Sequence, residues 1–144
     1  MHTLFLTSRL ILSAALLLAC VTAQGEPIVV VVSVSSTIKS LNKEQVANLF
    51  LGKSSTYPDG SAAEPIEQTD DTKAHEEFHK SITEKSASQL KSYWSKMIFS
   101  GKGTAPKEVA SNAELLKRLA GNPAMIGYVD KTAADKSVNV IFAP

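Results

Sequence analysis

The chain has 144 residues, 15 Lys and Arg against 14 Asp and Glu, and a single cysteine, Cys20. A net charge of +1 excludes the basic excess of a general nucleic-acid or anionic-membrane binder, and one cysteine excludes a disulfide framework within the chain. The length suffices for one domain with its own core.

Residues 1–23 read as an export signal. Arg9 is their only full charge, Leu10 to Leu18 is nearly continuous apolar sequence, and Val21-Thr22-Ala23 puts modest side chains where a signal peptidase needs them. That apolar run is too short to cross a bilayer. Cleavage after Ala23 would leave residues 24–144 as one periplasmic domain with no membrane insertion. The alternative is a lipoprotein box at Leu17-Leu18-Ala19-Cys20, with Cys20 lipidated, although Leu18 is bulkier than that site usually takes. Losing Arg9 brings the 15 basic residues to 14, equal to the 14 acidic ones, and leaves Arg118 as the remaining arginine.

Ile28 to Val34 is a β-branched run fitting a strand buried on both faces. Asn42 with Gln45 three residues on starts a helix, stapled by Leu41 and Val46 and ended at Gly52. Tyr57-Pro58-Asp59-Gly60 is turn chemistry, and Glu64 to Gln68 reads as a short strand with Pro65 near its beginning. A second helix is expected from about Asp71 to Thr83, with Ala74, Phe78 and Ile82 as its buried stripe. Ser86 with Gln89 opens a third, whose packed face is predicted as Leu90, Tyr93, Trp94, Met97 and Ile98, broken by Gly101 and Gly103. Ser111 with Glu114 opens a fourth, striped by Leu115, Leu116 and Leu119 and stopped at Gly121-Asn122-Pro123. Strands at Ala124 to Val129 and Val138 to Phe142 complete the chain. Strands placed between helices predict an α/β domain with a mostly parallel or mixed sheet flanked by helices.

Four segments, LNKEQVANLFLGK (Leu41 to Lys53), YPDG (Tyr57 to Gly60), SYWSKMIFSGKG (Ser92 to Gly103) and AMIGYVD (Ala124 to Asp130), come in the order seen in phosphate-binding proteins of ABC uptake transporters. From Ile28 to Asp130 the chain resembles the second lobe of that family. The resemblance implies one lobe of a type II periplasmic-binding-protein-like fold, with no first lobe ahead of Ile28. It further implies a non-catalytic solute-binding or sensing role, with a small oxyanion such as phosphate as ligand. In two-lobe members the strand before the second helix ends in an arginine, followed by a turn and a Ser-Gly-Thr at the helix start. Here Gln68 stands for the arginine, Thr72 for the serine, and Lys73 and Ala74 for Gly and Thr. The arginine fork is absent. Asp70 and Asp71 place two carboxylates beside the helix-start amides, where capping the helix is the simpler role. The expected ligand-binding set is Ser35, Ser36 and Thr37 in the first strand's loop with Gln68, Thr69, Asp70, Thr72 and Lys73 in the turn, both taken to line one edge at the strands' C-terminal ends.

His75-Glu76-Glu77-Phe78-His79 matches H-E-x-x-H, two histidines one turn apart with a glutamate to activate water. Catalytic zinc needs a third protein ligand, and the remaining histidine, His2, is in the signal; Glu108 or Glu114 would serve only if the fold brought it near. The histidines are expected at the helix's solvent edge, and because the third ligand is missing no metal, cofactor or catalytic residue is assigned. Gly52-Lys53-Ser54 closes a helix instead of opening one and is not a phosphate loop. Tyr93 and Trp94 are expected in the core, not as a stacking platform. The alternative to solute binding is an envelope protein-interaction module, in which a lobe face pairs with a second copy or another protein.

Overall fold

The computed structural model describes residues 26–144, so the expected export signal and its alternative, a lipoprotein box at Cys20, lie outside the described residues. Strands β1 (Ile28–Ser33), β2 (Glu64–Gln68), β3 (Lys107–Val109), β4 (Met125–Asp130) and β5 (Val138–Phe142) form one sheet in the order β3-β2-β4-β1-β5. Helices α1 (Lys43–Phe50), α2 (Lys73–Phe78), α3 (Ala87–Phe99) and α4 (Asn112–Ala120) flank it. β2 runs parallel to β3 and β4, whereas β1 is antiparallel to both β4 and β5, so the sheet is mixed.

All six residues of β1 are buried, as its β-branched run predicts, because helices cover both faces of the sheet. Alternate side chains feed two cores. Val30, Val32, Ile126 and Tyr128 pack with Val46, Phe50 and Phe78 on the α1 and α2 face. Val29, Val31, Ile66 and Val129 pack with Leu115 and Leu119 of α4 on the other.

The capping signatures hold. Asn42 and Gln45 form a reciprocal capping box at α1, Ser86 and Gln89 do so at α3, and Ser111 accepts from the Glu114 amide at α4. Gly52 takes φ 69° just past α1, the left-handed turn its helix-ending role requires. Three local readings are corrected. β3 is an additional edge strand, too short to show a period. α2 does not run on as regular helix, because His79–Thr83 widens into a π turn ending at Glu84 with φ 57°. The predicted packed face of α3 is only partly packed. Leu90 is buried and Tyr93, Trp94 and Met97 are half-buried, but Ile98 is 56% and Phe99 95% exposed. α3 instead leans on the end of α1, where the Tyr93 hydroxyl donates to the Leu51 carbonyl at 2.6 Å. The Trp94 ring lies so close to Gly52 that a Cβ there would sit 3.3 Å from it.

Candidate functional site

Strand direction decides which loops share an edge. Ile28 pairs with Asp130 and Val32 with Ile126, while Glu64 pairs with Met125. The C-terminal ends of β2, β3 and β4 therefore meet beside the start of β1, and the end of β1 lies at the opposite edge. Five residue steps of β1 separate the edges by roughly 17 Å. This corrects the expectation that both loops line one site: Ser35, Ser36 and Thr37 stand away from Gln68, Thr69, Asp70, Thr72 and Lys73. The serines of the β1 loop serve the turn itself. The Ser33 hydroxyl accepts from the Ser35 amide at 3.2 Å and that of Ser36 from the Ile38 amide at 3.1 Å.

At the β2 edge, Gln68 is buried, and its Nε2 donates to Asn112 Oδ1 at 2.6 Å and to the Tyr128 carbonyl at 3.4 Å. Asn112 Nδ2 donates in turn to Asp130 Oδ2 at 2.7 Å. One side chain from each of β2, α4 and β4 thus meets in a single array. Asn112 and Asp130 escaped the sequence reading because only the sheet order brings them beside Gln68.

The following turn closes on itself. The Thr69 hydroxyl donates to Asp71 Oδ1 at 2.6 Å, and the Thr72 hydroxyl donates to the Thr69 carbonyl while accepting from the His75 amide at 3.2 Å. Thr72, not Asp70 or Asp71, is the N-cap of α2, which corrects the capping role expected of the two carboxylates. Asp70, Asp71 and Lys73 are exposed.

On the opposite face of β2, Glu67 turns under α2. His75 is 7%, His79 1% and Glu67 4% exposed, so the expected solvent-edge placement of the histidines is overturned. The reason is the one-turn spacing: Ala74 and Phe78 drive this helix face onto the sheet, and His75 and His79 follow beside them. His79 Nε2 lies 2.7 Å from Glu67 Oε1, and His75 Nε2 lies 3.8 Å from Glu67 Oε2. The two imidazoles are 4.5 Å apart. His79 Nδ1 is 2.9 Å from the Thr83 hydroxyl, which itself donates to the His79 carbonyl at 3.1 Å. Burial holds His75 below the usual histidine range, an effect that Glu67 opposes and His79 reinforces. Glu108 is the parallel-strand partner of Glu67, and burial, then Glu67, Asp70 and Asp71, push its carboxyl up. Glu67, His75 and His79 form a group whose ligand-type atoms all lie within 4.8 Å of one another. Glu67 was missed because nothing in Glu64 to Gln68 marks which residue faces the helix until the sheet is assembled.

No protein-family model matches the chain, and no curated protein resembles it in sequence. Solved structures do match in fold. A phosphate ABC transporter substrate-binding protein with bound phosphate from Clostridium perfringens is similar at a TM-score of 0.65 and 16% identity, covering 81% of this chain and 44% of that one. An ABC-type phosphate transport receptor from Vibrio cholerae is similar at 0.64 and 14% identity, with 81% and 45% covered. The PstS protein of Borrelia burgdorferi is similar at 0.60 and 14% identity, with 81% and 46% covered. The chain thus has the fold of a single lobe of phosphate ABC transporter substrate-binding proteins and spans under half the length of these structures. No helix among the described residues is long and apolar enough to cross a membrane.

Proposed function

We propose that the chain is an exported, non-catalytic solute-binding-type domain, residues 24–144 after loss of the signal, which receives a small polar ligand at the edge where β2, β3 and β4 end. The observation that carries this reading is the Gln68, Asn112 and Asp130 array at that edge, three polar side chains from three elements held in fixed geometry. The receptor-lobe fold supports it, because ligands of open α/β sheets sit outside the carboxyl ends of strands. Gln68, Thr69, Asp70, Thr72 and Lys73 are the contact residues of this reading. Phosphate, which the Clostridium perfringens protein holds, is a weak ligand here. An oxyanion would meet the Lys73 ammonium and the threonines without an arginine fork, and would lie close to Asp70, Asp71 and Asp130.

The test is thermal unfolding at fixed protein concentration with and without millimolar phosphate or sulfate. Binding to the native state must raise the midpoint, and a ligand at about a hundred times its Kd adds about 2.7 kcal/mol. A rise abolished by Lys73→Ala supports an oxyanion at this edge; no rise with any small polar solute refutes the solute-binding reading.

Exposed Ile98 and Phe99 at the end of α3 favour a second reading, an envelope interaction module that pairs with a second copy or another protein. Sedimentation equilibrium giving a mass above one chain, reduced to one chain by Phe99→Ser, supports it for self-association.

A further inference from the structure

Glu67 is a carboxylate with 4% exposure and, among the described residues, one hydrogen-bond neighbour, His79 Nε2. A carboxylate offers about four lone-pair sites, and burying its charge is costly unless a cation or several donors meet it. His75 Nε2, at 3.8 Å, is beyond hydrogen-bond reach. Glu108 and Asp70 add negative charge on the same side.

The three side chains aim their ligand-type atoms at one another. His79 Nδ1 lies 2.9 Å from the Thr83 hydroxyl, and Nε2 is directed at Glu67 Oε1, 2.7 Å away. His75 Nε2 faces the other oxygen of the same carboxylate at 3.8 Å, and the two imidazoles are 4.5 Å apart. The ligand-type atoms of all three residues fall within 4.8 Å of one another, and a cation among them would meet the second Glu67 oxygen and His75 together.

We propose that Glu67, His75 and His79 form a binding site for a divalent transition metal ion of the zinc class. Two imidazoles with one carboxylate suit zinc and its neighbours, whereas calcium and magnesium take oxygen ligands throughout. Bonds of about 2.0–2.2 Å to a tetrahedral ion put ligand atoms roughly 3.4 Å apart, between the 2.7 and 3.8 Å separations here. Thr83 orients His79 as the outer partner that metal-bound histidines usually have. Three protein ligands would leave a fourth position for water or a small solute, and His75 and His79 both line a cleft of about 520 Å³ bordered by Asp70, Glu76 and Lys80. The H-E-x-x-H spacing thus acquires its third ligand from β2, in a place no downstream motif would reveal. This site does not depend on the solute-binding reading.

The experiment is titration of the chelator-treated full chain with zinc, by calorimetry, and with cobalt(II), by visible absorption. One ion per chain and a strong four-coordinate cobalt band are expected. Glu67→Gln, His75→Gln and His79→Gln should each weaken binding by more than about 100-fold, and Thr83→Val by about 10–100-fold, the range of outer partners. Circular dichroism identifies any variant that fails to fold, and Thr83→Val, which is nearly isosteric, then carries the comparison. Absence of stoichiometric binding to the wild type overturns the site and leaves a hydrogen bond between His79 and Glu67. Binding that is unchanged in the folded variants overturns it equally, placing the metal elsewhere. The oxyanion unfolding assay reads a different edge residue, Lys73, so failure of one proposal is distinguishable from failure of the other.

Discussion

The ring of Phe78 lies flat on that of Tyr128, centroids 4.0 Å apart and planes 10° from parallel. This stack joins α2 to β4, and His79 stands edge-on to the same Phe78 ring at 4.9 Å. Phe78 therefore seats the histidines as well as the core. Phe78→Ala should cost about 3–5 kcal/mol in urea unfolding. Tyr128→Phe should behave oppositely. Its hydroxyl is buried with no hydrogen-bond partner among the described residues, so removing it should be neutral or slightly stabilising. A loss above about 1 kcal/mol would mean that the hydroxyl is satisfied after all.

Alkaline pH should unfold the protein through its tyrosines. Burial, then Asp59 and Glu64, hold the Tyr57 hydroxyl well above the usual phenol range, and burial does the same to Tyr128. A group whose folded pKa is raised contributes fully below its unfolded value, about 10, and loses that contribution as pH rises toward the folded value. Stability measured by urea unfolding should therefore fall as pH climbs above about 10. Tyr57→Phe should flatten that fall. At neutral pH the same variant should lose about 0.5–1.5 kcal/mol, because the hydroxyl donates to the Ala124 carbonyl at 2.9 Å.

Gly127 gives the sheet its close approach to α4. A Cβ there would fall 2.8 Å from Leu115 Cδ2, 3.1 Å from Ile66 Cγ2 and 3.2 Å from Leu119 Cδ1. Gly127→Ala should cost about 1–3 kcal/mol through overpacking. Thermal unfolding of Gly127→Ala beside Gly127→Ala/Leu115→Val checks the cause, since trimming the nearest atom should restore part of the loss.

Asn112→Ala removes the acceptor of the Gln68 amide and the donor to Asp130. Leaving buried Gln68 under-satisfied should cost about 1–3 kcal/mol. Chemical denaturation of Asn112→Ala against Asn112→Ala/Gln68→Leu should show the double variant recovering part of that loss. Equal losses in the two would mean that the array does not depend on Gln68.

At the tip of α3, Phe99→Ser should leave the stability of the isolated chain within about 0.5 kcal/mol, because the side chain is 95% exposed. A larger loss on thermal unfolding at low protein concentration would mean that the ring is packed against the domain.

The helix starts were legible in the sequence because capping is local: Asn42 with Gln45 and Ser86 with Gln89 satisfy their own amides within one turn. The burial of β1 was legible as well, since an uninterrupted β-branched run fits only a covered strand. The four ordered segments pointed to the receptor-lobe fold that the solved structures share. Strand direction was not legible. Side-chain alternation is the same in parallel and antiparallel strands, so nothing within Ile28 to Ser33 reveals that β1 runs against β4 and carries its loop to the far edge. Nor could spacing along one helix reveal the company kept by His75 and His79. Whether they face water or Glu67 depends on the seat of α2 against β2, a relation between elements that only tertiary packing sets.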